Sequence, residues 1–132
     1  MSANTIKPPS DCPAIRVVMM PRDLNAAHTI FGGVLLSYID QAGFVEARRQ
    51  AHHRYVTVAI REVVFHEPVY VGDVVSFHCE TVKIGRTSIT VHVTVSVDRF
   101  EQPHETVKVT DAEIVFVAID ENHKPKPIFA GS

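Results

Sequence analysis

Tryptophan is absent from the 132 residues, and cysteine occurs only twice, at Cys12 and Cys79. Two thiols are too few to staple a small secreted scaffold, so a reducing setting, the cytoplasm, is expected. No apolar run approaches the length of about 18 residues that suggests a membrane span. The opening MSANTIKPPSDC has no apolar stretch of the signal-peptide kind. The formal net charge is only −2, so neither nucleic acid nor membrane is expected as a partner. Phosphate-binding P-loops, GxGxxG fingerprints, GxSxG elbows and HExxH zinc motifs are all missing, which argues against four large enzyme classes. His52 and His53 are adjacent and do not point to one metal, and Cys79 has the opposite strand parity from His78. No metal and no cofactor are expected.

What is present is an ordinary globular mixture, 45% hydrophobic and 21% charged, of single-domain length. Prolines at 8, 9 and 13 make residues 1–13 a flexible tail, and the polar, proline-containing residues 121–132 make an irregular one. Ile15 to Met20 reads as a short first strand, stopped by Pro21. From Val34 to Gln50 the chain has no proline and one glycine, which predicts a long helix starting near Gly32-Gly33. Arg48 and Arg49 fall in its last turns, where cations offset the helix dipole. Its apolar residues cover more than half of the circumference. Only Ser37, Gln41 and Arg48 share a polar sector, so a curled sheet or a partner must wrap the helix.

The remainder predicts four long strands. Val56, Val58 and Ile60 alternate with other residues, and a phase slip before Val63 predicts a bulge near Arg61 or Glu62. A turn is expected at Gly72-Asp73. Ile89 to Val97 keeps period two without a break, which requires one buried face. A last strand is expected from about Thr106 to Ile119, with a slip near Thr110-Asp111. Short links favour antiparallel neighbours. The fold class is therefore α+β, one long helix against an antiparallel sheet.

Asp40 is the first candidate for chemistry. A helix-interior aspartate has poor propensity and no capping role. Here it lies on the wheel among Leu36, Phe44 and Ala47. It serves either a reaction, as a base in a poorly solvated place, or a wet interface or ion pair. Gly32 and Gly33 come next. Free amides at a helix start can hold an anion or an oxyanion, or the pair is simply a tight turn. Gly33 and Asp40 are seven positions apart and share one helix face, so a substrate along the helix could meet both. Asn25 and His28 either bond a ligand or bond their own loop. In GRTS, Arg86 beside Thr87 and Ser88 either clamps a phosphate or caps a solvated hairpin.

Taken in order, Met20-Pro21, Asn25, IFGGVLLSYIDQAG, PVYVGD, VKIGRTS and AEIVFVAIDENHKPKPI resemble the hotdog-fold acyl-CoA thioesterases, over roughly residues 15–128. The YciA-like branch, akin to the cytosolic acyl-CoA hydrolases, is the nearest. The resemblance implies a hotdog fold, a long central helix wrapped by a curled antiparallel β-sheet, over residues 14–120. It implies a homo-oligomer with active sites at the dimer interface, a hexameric trimer of dimers with a tetramer as the alternative. It implies acyl-CoA as substrate, with coenzyme A part of substrate and product and no separate cofactor. Asp40 becomes the general base or nucleophile, the Gly33 amide the oxyanion donor, and Asn25 a further catalytic-site residue. His28, Phe31, Gly32, Tyr38 and Gln41 become substrate contacts, and Arg86, Thr87 and Ser88 the site of the CoA nucleotide and phosphates. Three departures stand out. His28 replaces a frequent glycine, Tyr38-Ile39-Asp40-Gln41 replaces a commoner Trp-Met-Asp-Glu pattern, and His123 stands where a turn glycine is frequent. A non-catalytic CoA-binding module and a hotdog hydratase are the alternatives.

Overall fold

The computed structural model describes residues 6–129, so residues 1–5 and 130–132 of the two expected tails lie outside it. The order is β1 (Ile15–Val18), a 3-10 turn (Pro21–Asp23), α1 (Gly32–Gln50), β2 (Arg54–Arg61), β3 (Val74–Ile84), β4 (Ser88–Asp98) and β5 (Thr106–Ile119). The strands form one antiparallel sheet in the order β1-β3-β4-β5-β2. The sheet wraps α1 in the hotdog arrangement. β4 is its centre. Ile89, Val91, Val93, Val95 and Val97 are all fully buried beneath the helix, as the unbroken alternation requires.

The helix runs without a capping side chain from Phe31 to Ala51, whose N–H bonds to Ala47 O at 3.1 Å before the backbone turns extended. Its buried stripe is Leu35, Ile39, Ala42, Gly43, Glu46, Ala47 and Gln50. Gly43 sets the distance to the sheet. A Cβ there would stand 2.9 Å from the Phe116 ring and 3.1 Å from Ile114 Cδ1, so only glycine lets the helix come this close.

The sequence pattern concealed a charge in that stripe. Glu46 is 4% exposed. It accepts hydrogen bonds from Thr81 Oγ1 at 2.7 Å, Arg49 Nε at 2.8 Å and Gln50 Nε2 at 3.0 Å. Burial alone would raise its pKa, but these donors outweigh burial and hold the carboxyl below its ordinary 4.5. The same helix end fastens the N-terminal segment. Lys7 N–H donates to Gln50 Oε1 at 2.8 Å, and Arg49 Nη2 donates to Pro8 O at 2.9 Å.

The strand details differ from expectation in three places. The β2 bulge is at Val58, between Thr57 and Ala59, not at Arg61 or Glu62. It switches parity, so Thr57, opposite Phe116, and Ile60, opposite Ile114, both face the helix while Val56 faces away. Glu62 takes a left-handed backbone with φ 58° and ends the strand. In β5 the extra residue is Val109, one position before the expected slip. The third difference is topological. β2 and β3 are not neighbours. Residues 62–73 carry the chain from the β2 edge past the helix start to β3, held by His66 N–H to Val109 O and Ile30 N–H to Val69 O, both 2.8 Å. The Gly72-Asp73 turn is as expected, with Gly72 at φ 89°. Val45, counted on the apolar arc, is exposed, and Val34, Leu36, Tyr38 and Phe44 are only half-buried. A single chain thus leaves part of the helix uncovered. No helix among the described residues is long and apolar enough to cross a membrane.

Two stability measurements check this account. Gly43→Ala gains about 1 kcal/mol of helix propensity but overpacks the Phe116 contact, typically by about 1–3 kcal/mol. A lowered urea midpoint is expected, and a raised one would contradict the contact. A carboxyl with a lowered folded pKa stabilises the fold above its ordinary pKa and loses that contribution as pH falls through the folded value. Wild-type protein should therefore lose stability below pH 4.5 more steeply than Glu46→Gln. Parallel acid limbs for the two proteins would count against the Glu46 network.

Candidate active site

Asp40 stands three residues before Gly43 and is half-buried. Thr57 Oγ1 donates to Asp40 Oδ1 at 2.5 Å. Asp40 Oδ2 has no hydrogen-bond partner among the described residues. The contact follows from packing. Thr57 pairs across the sheet with Phe116, and Phe116 is the ring beneath Gly43. Where the helix touches one residue of that pair, a polar side chain one turn earlier can reach the other. Asp40, Gln41, Phe44, Tyr55, Thr57 and Phe116 line an open cavity of about 440 Å³ with Ile15 and Val45. It combines one carboxylate, one hydroxyl and an aromatic floor.

Thr57 was not among the candidates from sequence. The available signal was a hydroxyl on a strand next to the helix, and a helix aspartate in need of a donor. The bulge at Val58 hid the parity that aims Thr57 at the helix.

The helix start has free amides. Val34 N–H bonds to Phe31 O at 3.1 Å and Leu35 N–H to the same oxygen at 3.4 Å. The Gly32 and Gly33 amides have no backbone or capping side-chain acceptor among the described residues. The two glycines are not equivalent. A Cβ on Gly32 would stand 3.3 Å from the Phe65 ring, whereas a Cβ on Gly33 would meet nothing within 4 Å. The chain's own packing has no need of a glycine at 33, although glycine costs about 1 kcal/mol relative to alanine in a helix.

The other candidates are dispersed. Asn25 Oδ1 accepts from Ala27 N–H at 2.8 Å and Thr29 N–H at 3.1 Å, and Nδ2 donates to Thr29 Oγ1 at 2.8 Å. Within one chain, then, Asn25 organises its own loop. His28 is exposed at φ 65°, a left-handed conformation that explains why glycine suits this position. Phe31 is exposed at the helix start. Gly32 opens on a different cavity, of about 290 Å³, with Thr29, Leu35, Phe65 and His66. Tyr38 packs on Phe77 with ring centroids 5.7 Å apart, away from the Asp40 cavity. Gln41 lines that cavity and donates to Ser37 Oγ at 3.2 Å. Arg86 and Thr87 sit in the β3–β4 turn and Ser88 opens β4. Their carbonyls hold Ile128 and Ala118 N–H at 2.9 and 2.8 Å, and none of the three lines the Asp40 cavity. A single chain therefore brings together Asp40, Gln41 and Thr57, and leaves the helix start and the GRTS turn apart from them. No group of three or more potential metal ligands occurs among the described residues.

The comparisons agree with the hotdog fold of this chain. A family model described as the thioesterase superfamily matches residues 27–99. An uncharacterised acyl-CoA thioester hydrolase of Zymomonas mobilis is 44% identical over 117 residues, covering 89% of this chain and 78% of its own. The acyl-CoA thioester hydrolase YciA of Salmonella typhimurium is 40% identical over 116 residues, covering 86% and 87%. Among solved structures, a hexameric hotdog-fold thioesterase of Campylobacter jejuni superposes with a TM-score of 0.83 at 40% identity, covering 88% of this chain and 89% of that one. This chain belongs to the thioesterase superfamily, within the hotdog-fold acyl-CoA thioester hydrolases.

Proposed function

We propose that this protein hydrolyses acyl-CoA to a free carboxylic acid and CoA, with Asp40 as the general base. The carrying observation is the state of that carboxylate: it lines an apolar-floored cavity, with one oxygen bound by Thr57 at 2.5 Å and the other without a partner among the described residues. In this reading Asp40 Oδ2 takes a proton from water as the water oxygen attacks the thioester carbon. Negative charge moves to the carbonyl oxygen, where the Gly33 N–H receives it with the helix dipole already aligned. Collapse of the tetrahedral species breaks the C–S bond, and the thiolate recovers a proton from Asp40. Asp40 as a nucleophile would need a second, deacylating step, so the general base is the simpler route.

The rest of the site rests on assembly. The helix start and the Asp40 cavity are separate openings in one chain, and β2 is an unpaired sheet edge with Val56 and Val58 41% and 55% exposed. Such an edge calls for a covering strand. We assign that role to β2 of a second copy, and, since the Campylobacter jejuni thioesterase is described as hexameric, a trimer of such dimers as the working enzyme. Asn25 and Asp40 would then meet from opposite subunits. His28, Phe31, Gly32, Tyr38 and Gln41 would border the acyl and pantetheine path, with Arg86, Thr87 and Ser88 on the CoA nucleotide and phosphates. The cytoplasm, where acyl-CoA is made and used, is the setting this reading implies.

Asp40→Asn keeps the shape and the Thr57 contact but removes the basic oxygen. It should lower kcat by about 10²–10⁴ with acyl-CoA binding and oligomer size unchanged, measured by thiol release. More than half of wild-type turnover in this variant would overturn the role of Asp40. Gly33→Ala separates site from scaffold. Its methyl meets open space within the chain, so thermal stability should hold or rise, while kcat should fall at least about tenfold as the methyl crowds the oxyanion position. Full activity in Gly33→Ala would move the oxyanion donor elsewhere.

A further inference from the structure

Both cysteines line one small cavity, of about 210 Å³, with Ser10, Pro13, Ala14, Val45, Glu46 and Arg49. Cys79 lies on the helix-facing side of β3 and is half-buried, whereas Cys12 is exposed. The chain before β1 is tied down at both ends. Lys7 and Pro8 are bonded to Gln50 and Arg49 of α1, and Ala14 N–H bonds to Phe77 O at 2.8 Å, two residues from Cys79. Between these anchors, residues 9–13 make no backbone hydrogen bond to the sheet or helix among the described residues, and the Cys12 amide bonds only to Ser10 Oγ at 3.1 Å. A short strap fixed at each end brings Cys12 to a cavity that Cys79 also lines.

We propose that Cys12 and Cys79 of one chain are a redox modification site, at which a hydroperoxide oxidises Cys12 and Cys79 then closes a reversible intrachain disulfide. The order follows from access. A peroxide reaches the exposed Cys12 first. Burial, reinforced by the Glu46 charge, pushes the Cys79 thiol up to about 12 despite the opposing Arg49 charge, so Cys79 is protonated at neutral pH and is the slower thiol toward an outside oxidant. In the first step the Cys12 thiolate attacks peroxide, the O–O bond breaks, and Cys12 becomes a sulfenic acid while the peroxide is reduced to water. In the second step the Cys79 sulfur displaces that hydroxyl as water and loses its proton, forming the S–S bond. Two thiols and one hydrogen peroxide give one disulfide and two waters. The second step is intramolecular, and residues 9–13, bonded to helix and sheet only at the flanking Lys7, Pro8 and Ala14, are the segment that moves to meet disulfide geometry. A dithiol reverses it. The two cavities share Val45, but neither cysteine lines the Asp40 cavity and neither Asp40 nor Thr57 lines the cysteine one.

The test uses the full-length oligomer, reduced, desalted and treated with a few equivalents of hydrogen peroxide. The expected result is loss of both thiols per chain together, a tryptic peptide pair linked Cys12 to Cys79, no covalent dimer on a non-reducing gel, and full recovery of thiols with dithiothreitol. In Cys79→Ala the same treatment should carry Cys12 on to sulfinic acid, which dithiothreitol does not reverse. Cys12→Ser should protect Cys79, with its thiol lost at least about tenfold more slowly than in wild type. Cys12 reaching sulfinic acid in wild-type protein with Cys79 still a thiol would overturn the proposal, as would a covalent dimer through Cys12.

Discussion

The approach of α1 to the sheet at Gly43 is the constraint on which the site depends. A side chain of any size there would meet the Phe116 ring at 2.9 Å and lift the helix. Phe116 and Thr57 are partners across β5 and β2. Setting the helix down on one brings Asp40, one turn earlier, to 2.5 Å from the hydroxyl of the other. Thr57 shares the helix side of the sheet with the buried Tyr55, and the bulge at Val58 returns Ile60 to that side on a strand at the sheet edge. A missing methyl and a strand hydroxyl thus fix a carboxylate with one oxygen bound and the other without a partner among the described residues.

The helix is held at its other end by a different means. Glu46 is buried, and a buried carboxylate is tolerated only with full partners. Thr81 on β3, with Arg49 and Gln50 on the helix, supplies them, and the same two helix residues bind Lys7 and Pro8. One network therefore orients the last turns of α1 and fastens the segment that leads into β1.

The elements that repeat were legible in the sequence. Residues 89–97 alternate without interruption because a central strand has one buried face along its whole length, and β5 ends where the long apolar pattern ends. The helix stood out as a proline-free run that is apolar round most of its circumference, and Asp40 as a residue type in conflict with its position. What was not legible depends on pairing at long range. The Val58 bulge leaves no mark in composition, yet it reverses the parity of β2, so Thr57 could not be aimed from the sequence. Glu46 carried no sequence signal of burial, because its partner Thr81 stands 35 positions away. The passage of residues 62–73 across the helix start has no local signature either. The roles given to Gly33, Asn25 and the GRTS turn came from the family resemblance, and within one chain these residues lie outside the Asp40 cavity.

The central claim is that water, deprotonated by Asp40 while Thr57 holds the carboxylate, attacks the thioester directly. A single turnover of acyl-CoA in ¹⁸O water, with enzyme in excess, tests it most directly. Mass spectrometry of the released acid and of the peptide containing Asp40 reads where the oxygen goes. The account predicts label in the acid and none in Asp40. Label appearing in the Asp40 carboxylate would show that Asp40 itself had attacked the carbonyl, and would contradict it.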